Sequence, residues 1–410
     1  MKKSLSILLP ASLAVSSMFS STGVVAAETL VDAIKNGKVG LDFRLRYEDV
    51  DQAVIAAPDR DATAITLKTR LNLLTDDYKG FKAFVEFDDT TALKDDYNST
   101  TNEKVSKSVV IDPEGSEVNQ VWLAYSGIPE TTLKWGRQRI LLDNQRFVGG
   151  VGFRQNEQTY DAFSVSNTAL PDTTIFVAHI SNVNRIFGES SPGGDHDNST
   201  HLFNVAYGGW DAGKLSLYVY DINNDDAAAF SSKTGGMRFA GTTGMFSYAA
   251  EYAKQSDAHN NPASYDASYY LLEGGVSVEG ISVSLGREKL GTDGVKGRFI
   301  TPLATLHKFQ GWTDQFLGGG SGNIAGGIVD DYLLVKGKFM GVAWLTNYHQ
   351  FEYDSATAAA SAKSDIGSEW GVSLTRKFEN YSLSLKYADY DADAFSTDTQ
   401  KLWLTASASF

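Results

Sequence analysis

No cysteine occurs in the 410-residue chain, so disulfide scaffolds and thiolate metal centres are excluded. A basic surplus is missing too. Lys and Arg number 36 against 50 Asp and Glu, a formal charge of −14, which argues against a nucleic-acid binder with a broad basic face. Long hydrophobic runs are the third absence. Beyond residue 27 none exceeds five residues, Val121 to Tyr125 being one, so no transmembrane helix is encoded there. What is present is 42% apolar and 21% charged, with 38 glycines against 8 prolines, 19 tyrosines, 22 phenylalanines and 7 tryptophans. That composition suits a globular or a barrel protein alike, and the order of the residues separates the two.

Residues 1–27 read as a cleaved signal peptide. Lys2 and Lys3 form a charged start, Leu5 to Phe19 is largely apolar, and Val25-Ala26-Ala27 offers the small residues a signal peptidase reads. Ser16, Ser17, Ser20, Ser21 and Thr22 interrupt the stretch, which disfavours a membrane anchor of about 20 apolar residues. Cleavage after Ala27 leaves residues 28–410 as one domain, with 34 basic against 50 acidic residues and a net charge of −16.

Within that domain apolar and polar residues alternate with period two. Val39, Leu41, Phe43, Leu45 and Tyr47 face one way, and Asp42, Arg44, Arg46 and Glu48 face the other. Eighteen such segments can be counted: 38–49, 63–75, 79–89, 117–126, 130–139, 158–169, 172–182, 199–209, 213–223, 233–241, 244–255, 266–278, 280–289, 328–339, 341–352, 366–378, 380–391 and 399–410. Helical periodicity shows only around Leu30 to Ile34 and within 303–317. Short turns such as Gly127-Ile128-Pro129, Glu279-Gly280 and Met340-Gly341 strictly alternate with longer polar connections. A soluble sandwich has no reason to sort its loops by length. An all-β, closed antiparallel transmembrane barrel of about 18 strands does, with short periplasmic turns and long extracellular loops. Aromatic residues near strand ends (Tyr47, Tyr78, Trp122, Tyr125, Trp135, Trp210, Trp344, Trp370, Tyr381) fit interfacial girdles.

One internal echo joins Leu133-Lys134-Trp135-Gly136-Arg137-Gln138-Arg139 to Val283-Ser284-Leu285-Gly286-Arg287-Glu288-Lys289. Each run ends a strand and opens a long loop, so the basic pairs are expected to enter the barrel mouth from two places.

The chain resembles the alginate-export family of Gram-negative outer-membrane porins. The resemblance rests on Asp32-Ala33-Ile34-Lys35-Asn36-Gly37-Lys38-Val39 running into Arg44-Leu45-Arg46-Tyr47-Glu48, and on Gly136 to Arg139 with Asp143 to Gly149. Arg154 to Asp161 and Thr301 to Phe309 complete it. It implies a monomeric barrel. One family member exports alginate through a strongly basic lumen; this chain departs from it in net acidity and in an inward face that mixes both signs.

With the greasy residues toward lipid, Arg44, Arg46, Lys68, Arg70, Lys82 and Glu86 line water as one patch three strands wide. Such residues select an anionic or polyhydroxylated solute, or pair with one another and stiffen the wall. Arg137, Arg139, Arg146, Arg154, Arg287, Lys289 and Arg298 are candidates for a loop constriction; the alternatives are lipopolysaccharide phosphates and solvent.

Other chemistry finds little support. The acidic stretch 89–116 lacks an EF-hand pattern, and Asp195-His196-Asp197 has no second cluster, so both read as solvated loops rather than metal sites. Gly318 to Gly322 has no following Lys and reads as a flexible linker. The six histidines form no His-Glu-x-x-His motif, and no G-x-S-x-G elbow occurs, so neither an enzyme nor a cofactor is expected. The last segment alternates through Leu402, Leu404, Ala406, Ala408 and Phe410, resembling the signal read by the barrel assembly machinery.

These observations converge on a passive diffusion channel for small hydrophilic solutes, anionic or sugar-like, in the outer membrane. The alternative is a dedicated alginate or polysaccharide exporter, which needs periplasmic partners; a surface enzyme or adhesin on a barrel scaffold ranks behind both.

Overall fold

A computed structural model describes residues 27–54 and 60–410, so the expected signal peptide lies outside the described residues except for Ala27. Among them are eighteen strands: β1 Lys38–Gln52, β2 Arg60–Leu74, β3 Phe81–Asp96, β4 Gly115–Ile128, β5 Thr131–Gln138 and β6 Thr159–Asn167. Next come β7 Thr173–Asn184, β8 Asp195–Trp210, β9 Gly213–Ile222, β10 Ser232–Thr243, β11 Phe246–Asp257 and β12 Asp266–Val278. The last six are β13 Ile281–Leu290, β14 Ile328–Phe339, β15 Val342–Glu352, β16 Asp365–Lys377, β17 Tyr381–Ala392 and β18 Thr399–Ser409. Each pairs antiparallel with the next, and β18 closes on β1 from Asp42↔Ser409 to Gln52↔Thr399. The closed 18-stranded antiparallel barrel is the expected one.

Closure follows from solvent. In hydrocarbon an unpaired N–H or C=O has no water to turn to, and a ring of strands leaves no edge. Outward side chains such as Leu45, Leu71, Phe163, Phe203, Leu217, Leu285 and Leu404 are exposed, as a lipid-facing belt requires, while inward Arg46, Glu48, Glu86, Asp88 and Glu369 are buried. Aromatic pairs mark both rims of the belt. Phe81–Tyr125 and Tyr207–Trp210 sit at the short-turn end, with ring centroids 4.5 and 5.2 Å apart, and Trp370–Tyr387, 5.2 Å apart, lies toward the long loops. Trp122 is a correction to the girdle. It faces the lumen, stacked on Phe84 at 5.2 Å, with the Lys134 ammonium 4.5 Å from its ring centroid.

The largest boundary difference is in β3, which runs to Asp96 because the ladder with β2 continues to Thr63↔Asp96 beyond the apolar belt, where alternation loses its meaning. The helix expected at the start is α1, Leu30–Lys35, capped by Thr29 Oγ1 accepting from Asp32 N–H at 3.1 Å. It docks on the β2–β3 turn through Asp76 N–H to Ala33 C=O at 2.9 Å. The helical pattern within 303–317 reduces to one 3₁₀ turn, Leu306–Lys308.

The lumen departs most from the sequence reading. Inward residues of β6–β12 include Tyr160, Ile180, Leu202, Tyr218, Tyr220 and Tyr269, which pack with Phe147, Val148, Phe299 and Leu303 of two loops into a hydrophobic core inside the barrel. Sequence period two gives a water-filled tube; the structure fills part of that tube with its own loops.

The belt is directly testable. Leu217→Arg, on the lipid face of β9, is expected to lower folding stability by about 2–4 kcal/mol near the bilayer midplane, measured by urea titration of folding into vesicles. Ser407→Arg, facing the lumen, is expected to leave it near the starting value.

Candidate functional site: two loops folded into the barrel

The β5–β6 loop, 139–158, turns inward because charge on the β1–β5 wall receives it. Arg70 donates to Asp88 from Nε and Nη2, both at 2.6 Å, and from Nη2 to Glu157 at 2.7 Å. Arg139 Nε lies 2.8 and 2.9 Å from the Glu157 oxygens, and its Nη2 donates to Glu86 at 2.6 Å. Asn119 and Gln120 add bonds to Glu86 at 2.7 and 2.8 Å. Burial alone would raise the Glu157 carboxyl, but Arg70 and Arg139 outweigh it and hold it well below the ordinary carboxylate range. Lys68 completes this group, 3.8 Å from Asp88.

Further along the loop, Arg154 bonds Glu48 at 2.9 Å and Asp314 at 3.2 Å. Gln155 ties β1 to β2 by accepting from Arg44 Nε at 2.7 Å and donating to Thr66 Oγ1 at 2.9 Å. Its N–H reaches Asp112 Oδ1 at 2.8 Å. Arg44 otherwise donates only to carbonyls, those of Gly152 at 2.8 Å and of Arg154. Arg46 lies 4.3 Å from the Phe153 ring centroid.

The β13–β14 loop, 291–327, meets the first loop across the lumen. Gly149 N–H donates to Leu303 C=O at 2.9 Å, Thr305 N–H to Gln145 C=O at 3.1 Å, and Lys308 Nζ to Asn144 C=O at 2.9 Å. Arg146 is fully buried in the seam, 2.7 Å from Glu288 of β13 and 3.2 Å from Thr301 Oγ1, with Phe309 4.8 Å beneath its guanidinium. Phe147 adds apolar glue, 5.2 Å from Tyr218 and Tyr269 and 5.8 Å from Phe299. The two loops form one diaphragm.

Asp314 anchors the second loop at β17 and β18. It accepts from His307 Nδ1 at 2.8 Å and lies 3.7 Å from Lys401. Lys386 Nζ donates to His307 Nε2 at 2.8 Å. An ammonium can only donate, so this bond fixes His307 as neutral with its proton on Nδ1. Burial pushes the imidazole down to about 3 from its ordinary 6.5, against the pull of Asp314. Burial would raise Asp314, but the His307 hydrogen bond and the charges of Lys401 and Arg154 hold it well below the carboxylate range.

The sequence candidates therefore divide. Arg44, Arg46, Lys68, Arg70 and Glu86 come together on the inner wall, and Lys82 shares their face of β3, nearer the short-turn end. Arg139, Arg146 and Arg154 reach the diaphragm. Arg137, Arg287 and Lys289 do not. They share strand parity with outward Trp135 and Leu285, and they pair on the outer wall with Asp161 at 2.8 Å, Asp331 at 3.5 Å and Asp354 at 2.6 Å. The echo thus fails as a pair of mouth entries: Arg139 lies past the end of β5 and turns inward, whereas Lys289 is held within β13. Arg298 staples its own loop, donating to Asn323 C=O at 3.1 Å. Asp195 to Asp197 begin β8 rather than lying in a loop, and His196 is buried beside Arg185. The Gly318 to Gly322 segment forms a 3₁₀ turn with a buried Ser321 rather than a flexible linker. Among the described residues no three His, Asp or Glu side chains are grouped to hold a metal.

Sequence reasoning missed the residues that dock the second loop: Glu288, Asp314, Glu369 and Lys386. Lys386 and Glu369 carry a signal, since each is charged on the polar parity of an alternating strand. Asp314 carries none.

The profile of the alginate export family matches residues 36–284. Among solved structures the chain is similar to OccAB2 of Acinetobacter baumannii, with a TM-score of 0.71 and 15% identity over 92% of this chain and 99% of that one. OccD3 (OpdP) of Pseudomonas aeruginosa gives 0.68 and 13% over 93% and 92%. OpdK of Pseudomonas aeruginosa, solved with vanillate, gives 0.66 and 15% over 92% and 99%. At these identities the likeness shows the fold. No curated protein matches the chain.

Two outcomes follow. Glu157→Ala leaves Arg70 and Arg139 short of a buried partner and is expected to cost about 3–5 kcal/mol, measured as faster proteolysis within 139–158 in the folded barrel. Docked His307 stays neutral while released His307 takes up a second ring proton, so docking is expected to weaken as pH falls from about 6.5 towards 3 and to be flat above that range. Amide exchange of residues 303–316, corrected for intrinsic rates, reads this, and His307→Gln is expected to flatten the dependence.

Proposed function

Because the chain belongs to the alginate export family, we propose that it is an outer-membrane porin, a passive diffusion channel for small hydrophilic solutes that bear negative charge or are sugar-like. The observation that supports this most is charge left over in the lumen. Arg44 donates only to neutral oxygens, Arg46 is stacked on Phe153, and Lys386 meets His307 and aromatic rings. None of the three has a carboxylate partner at ion-pair distance among the described residues, whereas Arg70, Arg139, Arg146 and Arg154 are all paired. An uncompensated buried cation is costly, and a passing anion relieves it. The vanillate held by OpdK is a small aromatic carboxylate, in keeping with such a solute.

The remaining partners follow from the same reading. Residues 1–27 are an export signal, and the mature chain is a monomer in lipid. Arg137, Arg287 and Lys289 face the lipopolysaccharide layer on the outer wall. Phe410 exchanges backbone bonds with Leu41 at 2.9 and 3.1 Å, extending the β18–β1 seam, and its terminal aromatic is the mark read by the barrel assembly machinery. The reading includes no catalytic step and no cofactor. A dedicated exporter of alginate or another polysaccharide is the second reading. It fits less well, because it requires the diaphragm to move aside for a polymer.

Single-channel recording of the refolded mature chain in a planar bilayer tests the proposal. Anion-preferring steps blocked by small carboxylates or sugars are expected; a folded barrel that never conducts would overturn it. Arg44→Gln with Lys386→Gln is expected to move the reversal potential in a salt gradient toward cation preference, while an unchanged potential removes both residues from selectivity.

A further inference from the structure

The diaphragm is not attached equally everywhere. The first loop and the seam are held by buried ion pairs and an aromatic core. The strap 310–315 is tied near its ends in the same way, with Gln310 donating to Glu288 at 3.3 Å and Asp314 paired with Arg154 at 3.2 Å, but its middle, 311–313, is held differently. Its turn hooks over one wall carboxylate: Glu369 of β16, 1% exposed, accepts from Thr313 N–H at 3.0 Å, from Thr313 Oγ1 at 2.6 Å and from Trp312 N–H. The Trp312 ring lies in a slot that exists because position 371 is glycine, where a Cβ would meet the ring 2.7 Å away. Lys386 covers the ring at 4.0 Å from its centroid. Gln310, Gly311 and Asp314 have φ of 56, 81 and 63°, so two non-glycine residues in this short span are in the left-handed region. Both ends are pinned, by His307 stacked on Phe153 at 3.6 Å and by Phe316 packed 4.6 Å from Phe351.

Among the described residues, most buried side-chain atoms that lack a hydrogen-bond partner lie in the wall around this strap. Five buried side-chain atoms have no partner among the described residues, and three of them lie here: Arg46 Nη1 on β1, Asn347 Oδ1 on β15 and Trp403 Nε1 on β18. They share one continuous sector, β15 to β18 and β1. Asn347 is the register partner of Gly371, and Trp403 that of Lys386. Leaving such groups unpaired is unfavourable, so the strap is strained at its backbone and borders an unsatisfied wall, with Asn347 at the Trp312 slot and Arg46 and Trp403 against Phe153 and His307 next to it.

We propose that the Trp312 strap is the moving part of the diaphragm, latched shut by Glu369, and that solutes pass along the β15–β1 sector it covers. Release of Trp312 opens a slot in which the Arg46, Lys386 and Trp403 donors meet a carboxylate while Asn347 accepts from a hydroxyl. The inference rests on the channel reading for its consequence, but not for its test.

The absence of cysteine gives a clean reporter. Asn347→Cys, behind the strap, is labelled with a water-soluble maleimide in otherwise unchanged, Glu369→Gln and Trp312→Ala backgrounds. Labelling is expected to accelerate about tenfold in Glu369→Gln, the loss of one charge-assisted hydrogen bond, and at least as much in Trp312→Ala, with longer or larger conductance steps in both. Rates unchanged in both backgrounds would overturn the strap, whether or not the barrel conducts. Accelerated labelling in barrels that never conduct would uphold the strap and sink the channel reading instead.

Discussion

Every backbone group in the spanning segments must be satisfied by the chain itself, and the pairing of β18 with β1 is where that demand is met. From that closure the rest follows. Lipid takes one parity of each strand and the lumen takes the other, so the same alternation that makes the outer wall greasy places Arg44, Lys68, Arg70 and Glu86 inside. A ring of this strand number encloses more space than its inward side chains fill. The surplus is what the two loops occupy.

The loops enter the lumen by two kinds of bond. Ion pairs such as Glu157 with Arg70 and Arg139, or Arg146 with Glu288, hold them at fixed points. Between those points the inward tyrosines of β9 and β12 supply an apolar bed for Phe147 and Phe299. Pairing consumes most of the charge that a sequence count would assign to selectivity. On the proposed reading, what remains for a solute is the small set of cations that the loops leave without a carboxylate.

The barrel was legible because period two and the sorting of loop lengths are local properties, readable strand by strand. The site was legible only where parity was respected. Arg44 and Arg70 stand opposite Leu45 and Leu71, and that placed them inside. Arg137 and Arg287 stand on the same side as Trp135 and Leu285, so the alternation already assigned them to the outer wall, and grouping them with the loop basics set that signal aside. The docking of the second loop had no comparable signal. Besides its loop neighbour His307, Asp314 meets Arg154 and Lys401 from two distant parts of the chain, and nothing near residue 314 encodes those two meetings.

A wall of strands joined only by hydrogen bonds bends easily across its diameter. The diaphragm ties the β1–β5 arc, through Glu157 and Arg154, to β13, through Glu288. These ties act as spokes. Lateral pressure from the surrounding bilayer, which would otherwise flatten the ring, is borne across the lumen by the same loops that narrow it, so the width of the passage and the roundness of the barrel are one mechanical property.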